Sequence, residues 1–178
     1  TPTAEEMFPR GFSSVVQEEA VSKPLCGVAR PALFRGTLTC WLKLFNIVQP
    51  DLVVTFWPAS GATGHKDHMR MGLVAETAVK QVRAQASGEY RGPRWIAYVI
   101  TPPNGLRAFG GETGKFVADN QPNPTHVMPG NTGAKLRGWK IHASQEDYVQ
   151  AAYGLPDWLL YLLWDQEFYR VVDLDAAR

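Results

Sequence analysis

The run Leu52-Val53-Val54-Thr55-Phe56 limits the fold more than any other part of the sequence. It is short, continuous and rich in β-branched residues, and Pro50-Asp51 introduces it. Such a run is typical of a strand that is buried on both faces of a parallel sheet. A loop of small residues follows at 57–64, so we predict that this strand ends in a loop that leads to a helix.

The segments on either side of this strand have helical and strand periodicity. Apolar residues at positions 38, 41, 42 and 45 predict a helix that ends before Pro50. Apolar positions between 71 and 82 predict a second helix, which stops near Ser87-Gly88, and Trp95 to Ile100 predicts the next strand. This order predicts an α/β fold with a Rossmann-like, mainly parallel sheet flanked by helices.

The rest of the chain gives weaker patterns, and its 178 residues suit one domain. Residues 1–35 are predicted to be a loop-rich lead-in with one short helix over Ser13 to Val21. Residues 102–133 contain many Pro, Gly and Asn and predict a long loop. A helix from about Lys135 to Tyr153, an apolar segment at 158–164 and a strand from Glu167 to Val172 complete the prediction.

The composition is that of a soluble globular protein that acts on a small molecule. Apolar residues make up 45% and the net charge is +1, which gives no basic surface for nucleic acid or an anionic membrane. There is neither an apolar run long enough for a membrane span nor a signal-peptide pattern. Cys26 and Cys40 form no CxxC motif, which favours thiols and a cytoplasmic location, with a single disulfide as the alternative.

The cluster Gly64-His65-Lys66-Asp67-His68 is the candidate for chemistry. If helical, His65 and His68 share one face, and imidazole nitrogens are common zinc ligands. Asp67 has the carboxylate needed to orient a histidine. The alternative is a polar start of a helix with solvated histidines, because two histidines do not complete a zinc site that needs three protein ligands.

Residues 49–56 and 64–70 resemble the second signature of the PIG-L/LmbE family of zinc-dependent N-deacetylases. Residues 135–145 are similar to the family's Lys-x-x-Ala-x-x-x-His-x-Ser-Gln helix. The resemblance extends over most of residues 36–173 and implies that residues 1–178 are the C-terminal part of one such domain. The family's first metal motif is absent, so the fold is expected to be incomplete in this chain.

The resemblance implies a role for six residues of the sequence. His68 would be a ligand of Zn2+ or another divalent metal. His65 and Asp67 would be the catalytic imidazole and its carboxylate partner. His142, Gln145 and Thr63 would lie near the substrate.

The function implied by the resemblance is hydrolysis of an N-acetyl or other acyl group from an N-acetylglucosamine-type sugar or glycoconjugate. Activity would require a missing N-terminal segment, so the protein's own N-terminal fragment is an expected partner chain. The alternative is a non-catalytic carbohydrate-binding or scaffolding relative. A homo-oligomer is compatible with the sequence, and nucleic acid is not an expected partner.

Overall fold

The computed structural model describes residues 30–142, 144 and 156–176. Its four strands form one mixed sheet in the order β1-β2-β4-β3, with helices between them in the chain. The elements are α1 (Arg30–Val48), β1 (Leu52–Phe56), α2 (Lys66–Gln85), β2 (Trp95–Ile100), α3 (Pro103–Phe109), α4 (Gly111–Asp119), β3 (His126–Pro129), α5 (Thr132–Ile141), α6 (Asp157–Leu163) and β4 (Gln166–Asp173).

The chain divides into two compact units, each with its own buried residues. Among the described residues, unit 1 comprises 30–55, 70–97 and 172–176, and unit 2 comprises 56–69, 98–142, 144 and 156–171. In unit 1 the largest buried side chains include Phe45, Val79 and Ile96. In unit 2, Leu106, Val117 and Ala118 form a buried cluster.

The first half of the described chain confirms the predicted order of helix, strand, loop, helix and strand. Phe45 is buried and packs edge-to-face on Trp41 at 5.4 Å, as the stripe on α1 predicted. Helix α1 begins earlier than expected, at Arg30, so residues 30–35 are helical and not loop. Pro31 is compatible with this because a proline in the first turn removes no intrahelical hydrogen bond. The predicted helix over Ser13 to Val21 lies outside the described residues.

The predicted long loop at 102–133 is wrong, because this segment contains α3, α4 and β3. Two of its glycines allow two short helices to touch. A Cβ on Gly110 would lie 2.6 Å from the Gly114 Cα, and one on Gly114 would lie 2.5 Å from the Leu106 carbonyl oxygen. Pro103 stands in the first turn of α3. Pro103 therefore starts a helix, and the glycines allow close packing between helices, so these residues do not mark a loop.

The C-terminal part differs from the prediction in two further ways. Strand β3 pairs antiparallel with β4, with His126 opposite Tyr169, so the sheet is mixed rather than mainly parallel. Helix α5 ends at Ile141, whereas the predicted helix continued to Tyr153. Residues 145–155 lie outside the described residues. The final strand is confirmed, with bounds Gln166–Asp173.

Cys40 is disulfide-bonded, which corrects the free thiol that the sequence favoured. It lies on α1, and Cys26 lies outside the described residues. None of the helices described here combines the length and apolar character that crossing a membrane requires.

The link between α1 and β1 is tied to the segment before β2. The Arg94 and Trp95 amides both donate to the Asp51 carbonyl, at 2.8 and 3.0 Å. The Tyr90 hydroxyl donates to the Pro50 carbonyl at 3.0 Å. Burial, helped by the negative charge of Asp51, raises the pKa of Tyr90 to about 12. The folded chain therefore favours the neutral phenol.

We expect Tyr90 to ionise well above the ordinary pKa of a tyrosine side chain. Its folded pKa of about 12 exceeds the ordinary value of 10.0, so its contribution to stability is complete below pH 10.0 and is lost as the pH rises toward about 12. Alkaline titration of the phenolate absorbance should show a late component that Tyr90→Phe removes. An unchanged titration curve in that variant would contradict the assignment.

Candidate functional site

The loop after β1 is a tight, internally bonded turn in unit 2. The Gly61 amide donates to the Trp57 carbonyl at 2.7 Å, and the Gly64 amide donates to the Ser60 carbonyl at 2.9 Å. Ala62 adopts a left-handed backbone with φ 58°. This conformation is costly for a residue with a Cβ, so the surrounding contacts must hold it.

Gly61 is required where the loop meets the start of α2. Its φ is 62°, and a Cβ there would lie 2.8 Å from the Met69 amide nitrogen and 2.9 Å from the His68 Cβ. Gly64 also has positive φ, at 77°, and a Cβ on it would lie 2.7 Å from the Thr113 Cγ2. The absence of side chains at these two positions lets the loop backbone approach α2 and α4 closely.

The His68 ring is held by three contacts. Its Nδ1 lies 2.8 Å from the Thr63 Oγ1 and 3.1 Å from the Gly61 carbonyl oxygen. The ring stacks on Phe56 with centroids 4.3 Å apart and an interplanar angle of 7°. Phe56 therefore fixes the plane of the imidazole, and the loop fixes its rotation.

His65 and Asp67 lie beside His68 on the surface of the turn. The His65 Nδ1 accepts a hydrogen bond from the Asp67 amide at 3.2 Å and therefore caps the first turn of α2. It is 3.8 Å from the Asp67 Oδ2, and both side chains are more than half exposed. The rings of His65 and His68 are 5.4 Å apart. The structure thus brings together Thr63, His65, Asp67 and His68.

The loop is braced by residues that the sequence did not single out. The Thr101 hydroxyl is buried and donates to the Ala62 carbonyl at 2.7 Å. The side-chain amide of Gln121 accepts from the Thr101 amide and donates to the Thr101 carbonyl. The Trp57 Nε1 donates to the Asn120 carbonyl at 3.0 Å. The only sequence signal for Thr101 was its place directly after the predicted strand at 95–100.

Of the two remaining predicted site residues, the structure describes His142 and not Gln145. His142 is exposed at the C-terminus of α5, where its amide donates to the Gly138 and Trp139 carbonyls. No hydrogen bond connects it to the cluster within the described part of the chain. Gln145 lies outside the described residues. His126, which has no predicted role in the site, lies in β3, where its Nδ1 is 2.9 Å from the Thr125 Oγ1.

The described residues at the turn do not by themselves complete a zinc site. No group of three or more His, Cys, Asp or Glu side chains suited to a metal occurs in residues 30–142, 144 and 156–176. A catalytic zinc needs three protein ligands and an open position.

Comparison with known families relates the part of the chain that contains this site to a ligase family and not to a zinc-dependent deacetylase. A family model described as Pantoate-beta-alanine ligase matches residues 1–86. The match includes β1, the loop and the whole of α2, and so all four residues that the structure brings together.

Individual relatives agree with the family model. The chain is 54% identical over 50 residues to the pantothenate synthetase of Moorella thermoacetica, which covers 28% of this chain and 18% of the relative. It is 53% identical over 78 residues to pantothenate synthetase 1 of Bradyrhizobium diazoefficiens, an alignment that covers 44% of this chain and 25% of the relative. For the pantothenate synthetase of Pelobacter propionicus the identity is 39% over 74 residues, which cover 42% of this chain and 23% of the relative. The chain spans about a fifth to a quarter of the length of these relatives.

These similarities overturn the assignment to the PIG-L/LmbE family, and with it the predicted zinc-dependent N-deacetylase activity. The motif was misleading because a strand, a small-residue loop and a helix that starts with polar residues occur in many α/β folds with unrelated functions. The roles implied for single residues stay predictions. Residues 1–86 are similar to the pantoate-beta-alanine ligase family, and the relatives that match the chain are pantothenate synthetases.

Proposed function

We propose that this chain acts as a ligase that joins pantoate to β-alanine. The observation that carries the proposal is the family match over residues 1–86, because it includes the complete β1, loop and α2 unit. The sheet and helices support it, since ligands of open α/β sheets bind beyond the carboxyl ends of strands. The candidate site follows the carboxyl end of β1.

The chemistry of the two substrates defines the reaction. Pantoate supplies a carboxylate and β-alanine supplies an amine, so the bond formed between them is an amide. A carboxylate in water does not condense with an amine unless one carboxylate oxygen is first converted to a leaving group. A ligase achieves this with a nucleoside triphosphate, whose transferred phosphate-containing group then departs with that oxygen.

The turn at the start of α2 is suited to hold an anion of this reaction. Lys66 is exposed at the first position of the 20-residue helix. The N-terminus of a helix has a positive partial charge that favours carboxylates and phosphates. Lys66 adds a full positive charge at the same place, so a substrate carboxylate or a nucleotide phosphate is stabilised there.

The activity is tested by incubating the purified chain with pantoate, β-alanine, a nucleoside triphosphate and Mg2+, and by detecting the amide by mass spectrometry. We expect amide formation that depends on all three organic substrates. With the pantoate carboxylate labelled by 18O, one label should appear in the released phosphate-containing product, because activation transfers that oxygen.

The matched control is the pantothenate synthetase of Moorella thermoacetica, assayed under the same conditions. A folded sample of this chain that forms no amide while the relative does would refute the proposal. Amide formation without transfer of 18O would refute the proposed activation of the carboxylate. Lys66→Met should raise the KM for an anionic substrate if the turn binds it.

A further inference from the structure

The contacts of His68 determine which of its ring nitrogens carries the proton. The Gly61 carbonyl oxygen, 3.1 Å from Nδ1, is only an acceptor, so Nδ1 must be the donor. The Thr63 hydroxyl, 2.8 Å from Nδ1, is compatible because it accepts as well as donates. The opposite tautomer would place a nitrogen lone pair against the carbonyl oxygen. A neutral His68 is therefore the Nδ1–H tautomer, and its Nε2 holds the lone pair.

The protein around His68 fixes this arrangement from two sides. Phe56 stacks on the ring at 4.3 Å. The Gly61 carbonyl is positioned by the left-handed backbone of Gly61 and Ala62, and Thr101 holds the Ala62 carbonyl at 2.7 Å. A ring with a fixed plane and one fixed nitrogen presents its other nitrogen in one direction. Such preorganisation is what a proton-transferring group requires.

The Nε2 atom makes no hydrogen bond to any described residue. Among the described residues, no group of three or more His, Cys, Asp or Glu side chains that could hold a metal ion lies around it. The His68 side chain is partly exposed beside the exposed His65 and Asp67. A substrate bound at the turn therefore has access to a nitrogen lone pair whose direction is set by the loop.

We propose that Nε2 of His68 is the base that takes a proton from the substrate amine during amide formation. This inference rests on the proposed ligase function. The β-alanine ammonium transfers one proton to Nε2, and the free amine nitrogen then attacks the carbonyl carbon of the activated pantoate. The C–N bond forms, the C–O bond to the phosphate-containing leaving group breaks, and the electron pair leaves with that oxygen. The nitrogen, now bonded to the carbonyl carbon, loses its second proton to water and becomes the amide N–H. His68 becomes an imidazolium that later returns its proton to water.

The variant His68→Asn tests the roles of the two ring nitrogens separately. An asparagine side-chain NH2 reaches the place of Nδ1 and still donates to the Gly61 carbonyl, but nothing replaces Nε2. We expect kcat to fall by roughly 100-fold near neutral pH, with an unchanged KM for pantoate. The defect should shrink as the pH approaches the pKa of an alkyl amine, about 10, because the amine then loses its proton without help.

His126→Asn is the matched control, since His126 lies in β3 and outside the turn, and its kcat should stay at the wild-type value. A wild-type kcat in His68→Asn, or a defect of constant size at every pH, would overturn the role of His68 as a base. If the wild-type chain forms no amide, the ligase function fails, and the role as a base fails with it. The two failures are therefore distinguishable.

The tautomer is tested separately by long-range 1H–15N NMR of the wild-type chain, which needs no activity. At a pH where His68 is neutral, its Nδ1 should have the chemical shift of a protonated ring nitrogen and its Nε2 that of an unprotonated one. The reverse pattern would overturn the inference, because Nε2 could not then accept a proton. Thr63→Val should preserve the expected pattern, since the Gly61 carbonyl determines it.

Discussion

Gly61→Ala is expected to destabilise the chain by about 2–5 kcal/mol. The new Cβ would lie 2.8 Å from the Met69 amide nitrogen and 2.9 Å from the His68 Cβ, and these atoms belong to the rigid start of α2. The backbone at φ 62° adds strain for any residue with a side chain. The loop must therefore shift, which also moves the carbonyl that holds the His68 ring. Urea denaturation followed by tryptophan fluorescence measures the loss.

Gly138→Ala is the control for the same chemical change. Gly138 lies within α5, and a Cβ there would meet nothing within 4 Å. Alanine is the better helix former, so this variant should be more stable by up to about 1 kcal/mol. Equal stabilities of the two variants would show that Gly61 is not confined by α2 as described.

Arg83→Met is the second large effect, expected to cost about 2–4 kcal/mol in the free energy of unfolding. The Arg83 side chain is only 11% exposed, and its Nη2 lies 2.6 Å from the Asp175 Oδ1. Its guanidinium also donates to the Pro93 carbonyl at 2.8 Å and to the Leu174 carbonyl at 3.2 Å. Methionine fills similar space but leaves these acceptors without a donor. The measurement is the shift of the urea midpoint at unchanged slope.

Arg107→Met provides the comparison at the surface. Arg107 pairs with Asp119 at 2.8 Å, but both side chains are about half exposed. An exposed ion pair contributes little, so the loss should stay below about 1 kcal/mol. If both arginine variants lose the same stability, the buried contacts of Arg83 are not the cause.

The sequence predicted the parts of the fold that depend on local periodicity. The stripe on α1, the run at 52–56, the stripe on α2 and the run at 95–100 all form the predicted elements. Helices and buried strands repeat their apolar residues with fixed periods, so a single segment contains enough information. The loop prediction for residues 102–133 failed because Gly and Pro occur in loops, at helix starts and at close contacts between helices alike. Only the approach of Gly110 to Gly114 and of Gly114 to Leu106 distinguishes these uses.

The chemistry was predicted less well than the fold. The cluster at 64–68 was identified from the sequence as the candidate site, and the structure does bring His65, Asp67, His68 and Thr63 together. The family assigned from that cluster was wrong, since the match over residues 1–86 is to a ligase family. A short motif specifies which side chains are near each other, whereas function depends on a whole site.

The sequence by itself determined the strand, the small-residue loop and the helix around Gly64-His65-Lys66-Asp67-His68, because these follow from composition and period over a few neighbouring residues. Only the tertiary structure decided which ring nitrogen of His68 carries the proton and which holds the lone pair. Thr101 and Gln121 are distant in the chain and hold the loop. The Gly61 carbonyl belongs to this loop and determines which nitrogen of His68 is protonated. Such a selection depends on distances of about 3 Å between residues that no local pattern connects.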